Sequence, residues 1–86
     1  MDEVNPQLHA AIMEIVETQM LERNPPETKQ TYDRLCAEGF SEAEAKRLLG
    51  CVVTSEIFEV LKQGEPYDPV RYTKALAQLP KLPWDE

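Results

Sequence analysis

The hydrophobic positions of the chain recur at intervals of three and four residues in four separate stretches, which is the spacing of amphipathic helices. No stretch alternates hydrophobic and polar residues for long enough to predict a β-strand. The spacing predicts helices over about 6–22, 27–38, 42–62 and 69–79, followed by an extended tail over 80–86. The expected fold is therefore all-α, a small four-helix bundle with a long central third helix.

The third predicted helix has signals at both ends. Ser41 can cap its start, with Glu44 three residues later completing a capping box, and Gly64 can end it in the left-handed conformation. Its hydrophobic residues are too many for one stripe, so we expect neighbours on more than one side. They are Ala45, Leu48, Leu49, Val52, Val53, Ile57, Val60 and Leu61, with a second line of Cys51 and Phe58. Gly50 indicates either close approach of another helix, which we favour, or a bend.

Proline and glycine residues delimit the other three helices. Asn5 and Pro6 start the first helix, Pro25 and Pro26 separate it from the second, and Asp68 and Pro69 start the fourth. The first helix should face inward with Leu8, Ile12, Ile15, Val16 and Gln19, flanked by Met13 and Met20. The second should use Thr28, Tyr32, Leu35 and Cys36, and the fourth Val70, Tyr72, Ala75, Leu76 and Leu79. Gly39 should end the second helix with Phe40 folding back on it, and Trp84 should pack back from the tail onto the bundle.

Length and charge restrict the function. The 86 residues are enough for one domain, 1–86, with one modest core. The net charge of −7 repels nucleic acid and anionic membrane surfaces, so we expect neither as a partner. No hydrophobic run is long enough to cross a bilayer, and the start of the chain lacks a signal segment. Cys36 and Cys51 fall at hydrophobic helix positions, which predicts reduced core thiols and a cytoplasmic location.

Residues that carry chemistry are sparse. His9 is the single histidine, and it could bind a metal with carboxylates such as Glu17 or Glu44, or act as a general base. The simpler interpretation is a histidine at a helix start that bonds locally or faces water. Paired metal-ligand spacings, a phosphate-binding glycine loop and a catalytic triad are all missing from the sequence. We therefore expect no catalytic residue, no cofactor and no metal site, with His9 as the one weak metal candidate.

Most of the chain resembles a known but uncharacterised family. The segments NPQLHAAIMEIVETQ, NPPETKQTYDRL and GEPYDPVRYTKALAQLP, together with Gly39, resemble a bacterial all-helical family of unknown function. Members often carry further histidines one helical turn apart, at positions that correspond to Met13, Glu42 and Lys46 of this sequence. Of that set only His9 is a histidine here, and the resemblance implies no activity.

A second resemblance is local. The segment LCAEGFSEAEAKRLL is similar to the first loop of ubiquitin-associated-type domains, in which a Gly-Phe turn joins two helices and contributes to the binding patch. Gly39 and Phe40 are the matching residues. The same pair is also favourable capping chemistry for the end of a helix.

Two classes of function follow. In the first, the chain is a small acidic bacterial protein without enzymatic activity that acts through protein–protein interaction, with another protein or with a second copy in a homodimer. Phe40 and Trp84 are its candidate interaction residues. The alternative is a helical bundle that binds a metal or small ligand through His9.

Overall fold

Four α-helices make up the fold in a computed structural model that describes residues 6–85. They are α1 (Pro6–Glu22), α2 (Pro26–Ala37), α3 (Glu42–Gln63) and α4 (Pro69–Gln78). No strand occurs within these residues. The predicted all-α four-helix bundle is confirmed, and each helix begins and ends within one residue of its expected position. The predicted cap at Asn5 lies outside the described residues.

The predicted caps of α3 and α4 are present. The Ser41 hydroxyl accepts a hydrogen bond from the Glu44 N–H at 3.0 Å, and the Glu44 carboxylate accepts one from the Ser41 N–H at 3.0 Å. Gly64 ends α3 with φ 67°, in the left-handed region. Asp68 Oδ1 accepts from the N–H groups of Val70 and Arg71 at the start of α4. These bonds occupy backbone donors that a helix start otherwise leaves unpaired.

A Schellman motif closes α2. Gly39 has φ 108°, its N–H donates to the Cys36 carbonyl at 3.1 Å, and the Phe40 N–H donates to the Leu35 carbonyl at 3.1 Å. This is the predicted cap, in which a left-handed glycine turns the chain and the next hydrophobic residue folds back. Phe40 is partly buried against the core. Because the capping box of α3 begins at the next residue, α2 and α3 are joined with almost no free chain.

The hydrophobic core lies between all four helices. Both α2 and α3 pack closely against each of the other helices, whereas α1 and α4 meet through side chains such as Gln19 and Tyr72 without close approach of their backbones. The predicted central position of α3 is thus confirmed, and α2 shares it because it also contacts the other three helices. The buried hydrophobic residues are Ile12, Val16, Met20, Leu35, Ala45, Leu48, Leu49, Val52, Val53, Tyr72, Leu76 and Leu79.

Gly50 marks the point at which α1 and α3 approach most closely. A Cβ atom at Gly50 would lie 3.3 Å from Ile12 Cγ2 and 3.4 Å from Met13 Sδ. The helix continues through Gly50 without interruption. Close approach is thus the reason for glycine at this position, and a break in α3 is not.

Several residues expected in the core are exposed. They are Leu8 and Ile15 on α1, Ile57, Phe58 and Leu61 on α3, and Val70 on α4. For α3 the reason is geometric, because Phe58 and Leu61 lie on the side of the helix opposite its buried stripe of residues such as Leu49. The other three helices pack against the buried side and leave the opposite side uncovered. Thr31 and Glu56 are buried, although neither was among the residues expected in the core.

Two polar networks connect the helices through the core. Gln19 Oε1 accepts hydrogen bonds from the hydroxyls of Thr28 (2.9 Å) and Tyr72 (2.8 Å), so one oxygen joins α1, α2 and α4. Glu56, on α3, accepts from the Arg71 guanidinium at 2.7 and 3.0 Å and from the Asp68 N–H at 3.1 Å. The second network attaches the start of α4 to α3.

The tail folds into turns, so the expected extended conformation is wrong. The Lys81 N–H donates to the Gln78 carbonyl at 2.9 Å, and the Asp85 N–H donates to the Leu82 carbonyl at 3.0 Å. Leu82 is the tail residue that packs against the core. Trp84 is 58% exposed, so the prediction that it packs back onto the bundle is wrong as well.

Candidate functional site

Large hydrophobic side chains lie exposed on the last turns of α3. Phe58 is 66% exposed, Leu61 is 74% exposed and Ile57 is 37% exposed. Single exposed hydrophobic residues are common on protein surfaces, but neighbouring ones on one helix face are typical of a contact surface. The three residues are at positions i, i+1 and i+4, which places them within about a third of the helix circumference.

The exposed residues continue a regular line along α3. Cys51, Thr54, Phe58 and Leu61 are separated by three, four and three residues, the spacing of the contact positions in a coiled coil. Cys51 and Thr54 are partly exposed, and Phe58 and Leu61 are largely exposed. We call these four residues the outer seam, with Ile57 beside it. The seam rises about 15 Å along the helix, at ~1.5 Å per residue.

The polar groups of the outer seam need few further hydrogen bonds. The Thr54 hydroxyl donates to the Gly50 carbonyl within the same helix at 2.9 Å. The thiol of Cys51 is free, and partial burial raises its pKa, an effect that nearby Arg47 opposes. Covering a neutral thiol or a hydroxyl that is already hydrogen-bonded with a hydrophobic surface costs little free energy.

Exposed charged residues lie near both ends of the outer seam. Arg47 is four residues before Cys51, and Glu65 is four residues after Leu61, just beyond the Gly64 cap. Both side chains are exposed, and neither forms an ion pair among residues 6–85. The seam is therefore a hydrophobic strip bordered by exposed charges of both signs, and these include Lys62 next to Leu61.

A cleft of about 250 Å³ lies between α3, α4 and the tail, and its polar groups have structural roles. Glu56 and Arg71 meet on its wall, and the bond to Glu56 raises the pKa of the Arg71 guanidinium. Tyr72 also lines it, and burial raises the pKa of this phenol to about 12. A general acid or base needs a pKa near the working pH, so neither group is suited to proton transfer.

His9 is exposed on the first turns of α1, at the edge of a shallow cleft between α1 and α3. Met13, Glu42 and Lys46, the positions singled out by the family resemblance, line the same cleft. Lys46 is paired with Glu17 at 2.8 Å, and this bond raises the pKa of the lysine, so it stays a cation. No group of three or more His, Cys, Asp or Glu in the described part of the chain could hold a metal ion. Among residues 6–85 His9 therefore lacks the partners of a metal site, and the small-ligand part of the His9 alternative stays a prediction.

The two predicted interaction residues differ in their surroundings. Phe40 is occupied by its role in the α2 cap and its contact with the core, which leaves little of it to bind a partner. Trp84 is exposed, and its role in binding stays a prediction. Cys36 and Cys51 are both free thiols, partly exposed and on different helices.

The outer seam is the surface that sequence reasoning missed. The sequence places Cys51 and Phe58 on a second hydrophobic line of the third helix, and their separation of seven residues is the signal for this surface. Spacing alone does not tell whether such a line faces a neighbouring helix or solvent. Comparison of the chain with models of protein families, with curated proteins and with solved structures gave no match. None of the four helices combines the length and hydrophobicity required to span a bilayer.

Proposed function

We propose that this chain is a non-enzymatic protein that acts in the cytoplasm by binding another protein chain through the outer seam of α3. The exposure of Phe58 and Leu61 carries the proposal. Both are large hydrophobic residues on a well-capped helix, and neither is needed to fill the core. Burying such side chains contributes about 1.5–3 kcal/mol each, which makes them suitable anchors for a partner.

Charge and thiol chemistry support the rest of the proposal. A net charge of −7 disfavours nucleic acid, so a protein is the expected partner. The two free cysteines are compatible with the reducing conditions of the cytoplasm. Rigid presentation by a helix also lowers the entropy cost of binding, because the seam requires little reorganisation of the backbone.

Photo-crosslinking in the native host tests the proposal. A benzophenone amino acid replaces Phe58 in the full chain, and a matched control carries it at Gln30, which is exposed on α2. We expect a discrete protein adduct from position 58, identified by peptide mass spectrometry, and none from position 30. The adduct should disappear when Leu61→Glu is added. No adduct from position 58, or the same adducts from both positions, would contradict the proposal.

A further inference from the structure

Three cationic side chains from three parts of the bundle line one cleft of about 310 Å³. Lys29 is on α2, Lys46 is on α3, and Arg23 lies in the joint between α1 and α2. We propose that this cleft, which we call the basic cleft, binds the dianionic phosphate group of a small phosphate monoester. The inference does not depend on the outer seam, because the two surfaces share no residue.

The charge of the basic cleft is opposite to that of the whole protein. Its lining has three of the nine Lys and Arg residues of the chain and one acid, Glu17, whereas the net charge of the chain is −7. The cleft between α3, α4 and the tail, by contrast, has two cations and two acids. An acidic protein repels dissolved anions in general, so an anion that binds must be held by local contacts. The basic cleft offers such contacts.

Arg23 has an unusual backbone conformation for its residue type. Its φ is 54°, in the left-handed region, where glycine or asparagine usually ends a helix. The Asn24 N–H donates to the Gln19 carbonyl at 3.1 Å to close α1, and this bond uses no side-chain atom of Arg23. Glycine would complete the same cap with less strain. The cap therefore does not account for the guanidinium, which has no ion-pair partner among residues 6–85 and is available to a ligand.

The two lysines are paired with acids that a phosphate can replace. Lys29 Nζ lies 2.6 Å from Asp33 Oδ1, and Lys46 Nζ lies 2.8 Å from Glu17 Oε2. Both acids are more than half exposed, and ion pairs of this kind contribute little free energy. A phosphate dianion has more charge and more acceptor oxygens than a carboxylate. It can therefore displace the two acids, which return to water at the rim of the cleft.

The rest of the lining suits the organic part of a phosphate ester. Met20, Leu21 and Tyr32 line the cleft beside the cations. Lys29 Nζ lies 5.5 Å from the centroid of the Tyr32 ring, so a cation and a hydrophobic surface are adjacent. A phosphate held by Lys29 would bring its ester group against Tyr32 and Leu21. The volume is at the lower end of the range of ligand pockets, which fits a small ester such as phenyl phosphate.

Titration of the purified full chain with phenyl phosphate, followed by two-dimensional NMR of the backbone amides, tests the site. The probe is a dianion at about pH 7.5, and the ionic strength is kept at about 0.15 M so that screening stays constant. We expect saturable shifts confined to amides around Arg23, Lys29 and Lys46, with a millimolar Kd. No saturation up to about 20 mM probe, or similar shifts around every lysine of the chain, would overturn the inference.

Arg23→Gly separates binding from folding. The variant loses the guanidinium and gains the residue that the left-handed conformation favours, so in urea melts it should be at least as stable as the original chain. Its Kd for phenyl phosphate should nevertheless rise about tenfold or more. Lys74→Gln, at an exposed cation of α4, is the matched control and should leave the Kd unchanged. Unchanged binding in Arg23→Gly, or equal losses in the two variants, would overturn the inference.

Glu17→Gln should have an effect of the opposite sign. It removes the carboxylate that competes for Lys46, so the Kd should fall about threefold or more. Glu14→Gln, at an exposed position of the same helix, removes the same charge outside the cleft and should leave the Kd nearly unchanged. Weaker binding in Glu17→Gln would show that the basic cleft does not hold the phosphate.

Two further probes define the class of ligand. Inorganic phosphate should bind about threefold more weakly than phenyl phosphate or worse, because it makes no contact with Tyr32 and Leu21. Benzoate, with a single charge, should bind about tenfold more weakly than phenyl phosphate. Equal binding of benzoate would overturn the choice of a phosphate, and equal binding of inorganic phosphate would overturn the choice of an ester.

Discussion

Gly50 of α3 lies against Ile12 of α1 so closely that a Cβ atom would stand 3.3 Å from Ile12 Cγ2. Replacing Gly50 by alanine therefore has two opposing effects. Alanine favours the helix by about 1 kcal/mol, whereas crowding of a β-branched neighbour costs about the same. We expect Gly50→Ala to change the free energy of unfolding by less than about 1 kcal/mol in urea melts, and Gly50→Leu to lower it by about 3 kcal/mol.

The effect of steric crowding on stability can be measured separately from the effect of helix propensity. Ile12→Leu removes the Cγ2 methyl with little change in volume, so alanine at position 50 should be more stabilising in that background. If Gly50→Leu is as stable as the original chain, α1 does not approach α3 at this point.

Two hydrophobic residues of α3 should differ in their contribution to stability. Leu49 is fully buried, whereas Ile57 is 37% exposed, although spacing predicted both in the core. Leu49→Ala should cost about 2–5 kcal/mol, and Ile57→Ala should cost about 1 kcal/mol, because less surface and no enclosed cavity are involved. Urea denaturation of the two variants, at the same protein concentration, measures the difference. Equal losses would mean that the end of α3 is covered within one chain.

Glu56 should be important for holding α4 in place. Its carboxylate accepts from Arg71 and from the Asp68 N–H, at the first turn of α4. Glu56→Ala leaves these donors without their partner, so we expect a loss of about 1–3 kcal/mol. Glu14→Ala, an exposed position on α1, is the matched control and should change stability by less than about 0.5 kcal/mol. Similar values for both variants would show that the Glu56 bonds contribute nothing.

Tyr72 should make the protein sensitive to alkali. Burial raises its pKa to about 12, above the value of about 10 in an unfolded chain. The folded state holds this proton more tightly, so the stabilisation is complete below pH 10 and is lost as the pH rises toward 12. Urea unfolding from pH 8 to 12 should show the decline.

Tyr72→Phe provides the comparison for that pH range. The variant should be less stable by about 1 kcal/mol at pH 8, because the hydrogen bond to Gln19 is lost. Its stability should fall less steeply above pH 10, so that the two curves converge. Parallel curves over the whole range would assign the alkaline loss to other groups.

The helices could be predicted because their end signals are local. Ser41 and Glu44, or Asp68 and the two residues that follow Pro69, lie within one helical turn of each other. Burial at the ends of helices could not be predicted in this way. Whether Leu61 or Val70 is covered depends on which sides of its helix the other helices cover, and no short segment contains that information.

The sequence indicated only part of the candidate surface. The seven-residue spacing of Cys51 and Phe58 indicated a second line, but the packing of the other helices against the opposite side of α3 decides that the line faces outward. Glu56 was missed for a similar reason. A glutamate at a hydrophobic position becomes intelligible only when Arg71, 15 residues later on another helix, is seen beside it.

The joint between α2 and α3 has a consequence for how the chain folds. Gly39, Phe40 and Ser41 complete one helix end and begin the next through bonds between residues at most five positions apart. Such bonds require little loop closure, so we expect this hairpin to form in the folding transition state, with α1 and α4 docking later. Ser41→Ala should then slow refolding, whereas Tyr72→Phe should mainly accelerate unfolding, and stopped-flow kinetics that assign both effects to the same rate would contradict this order. Once it has formed, the α2–α3 pair presents separate surfaces to α1 and to α4. Either helix can therefore dock first without blocking the other.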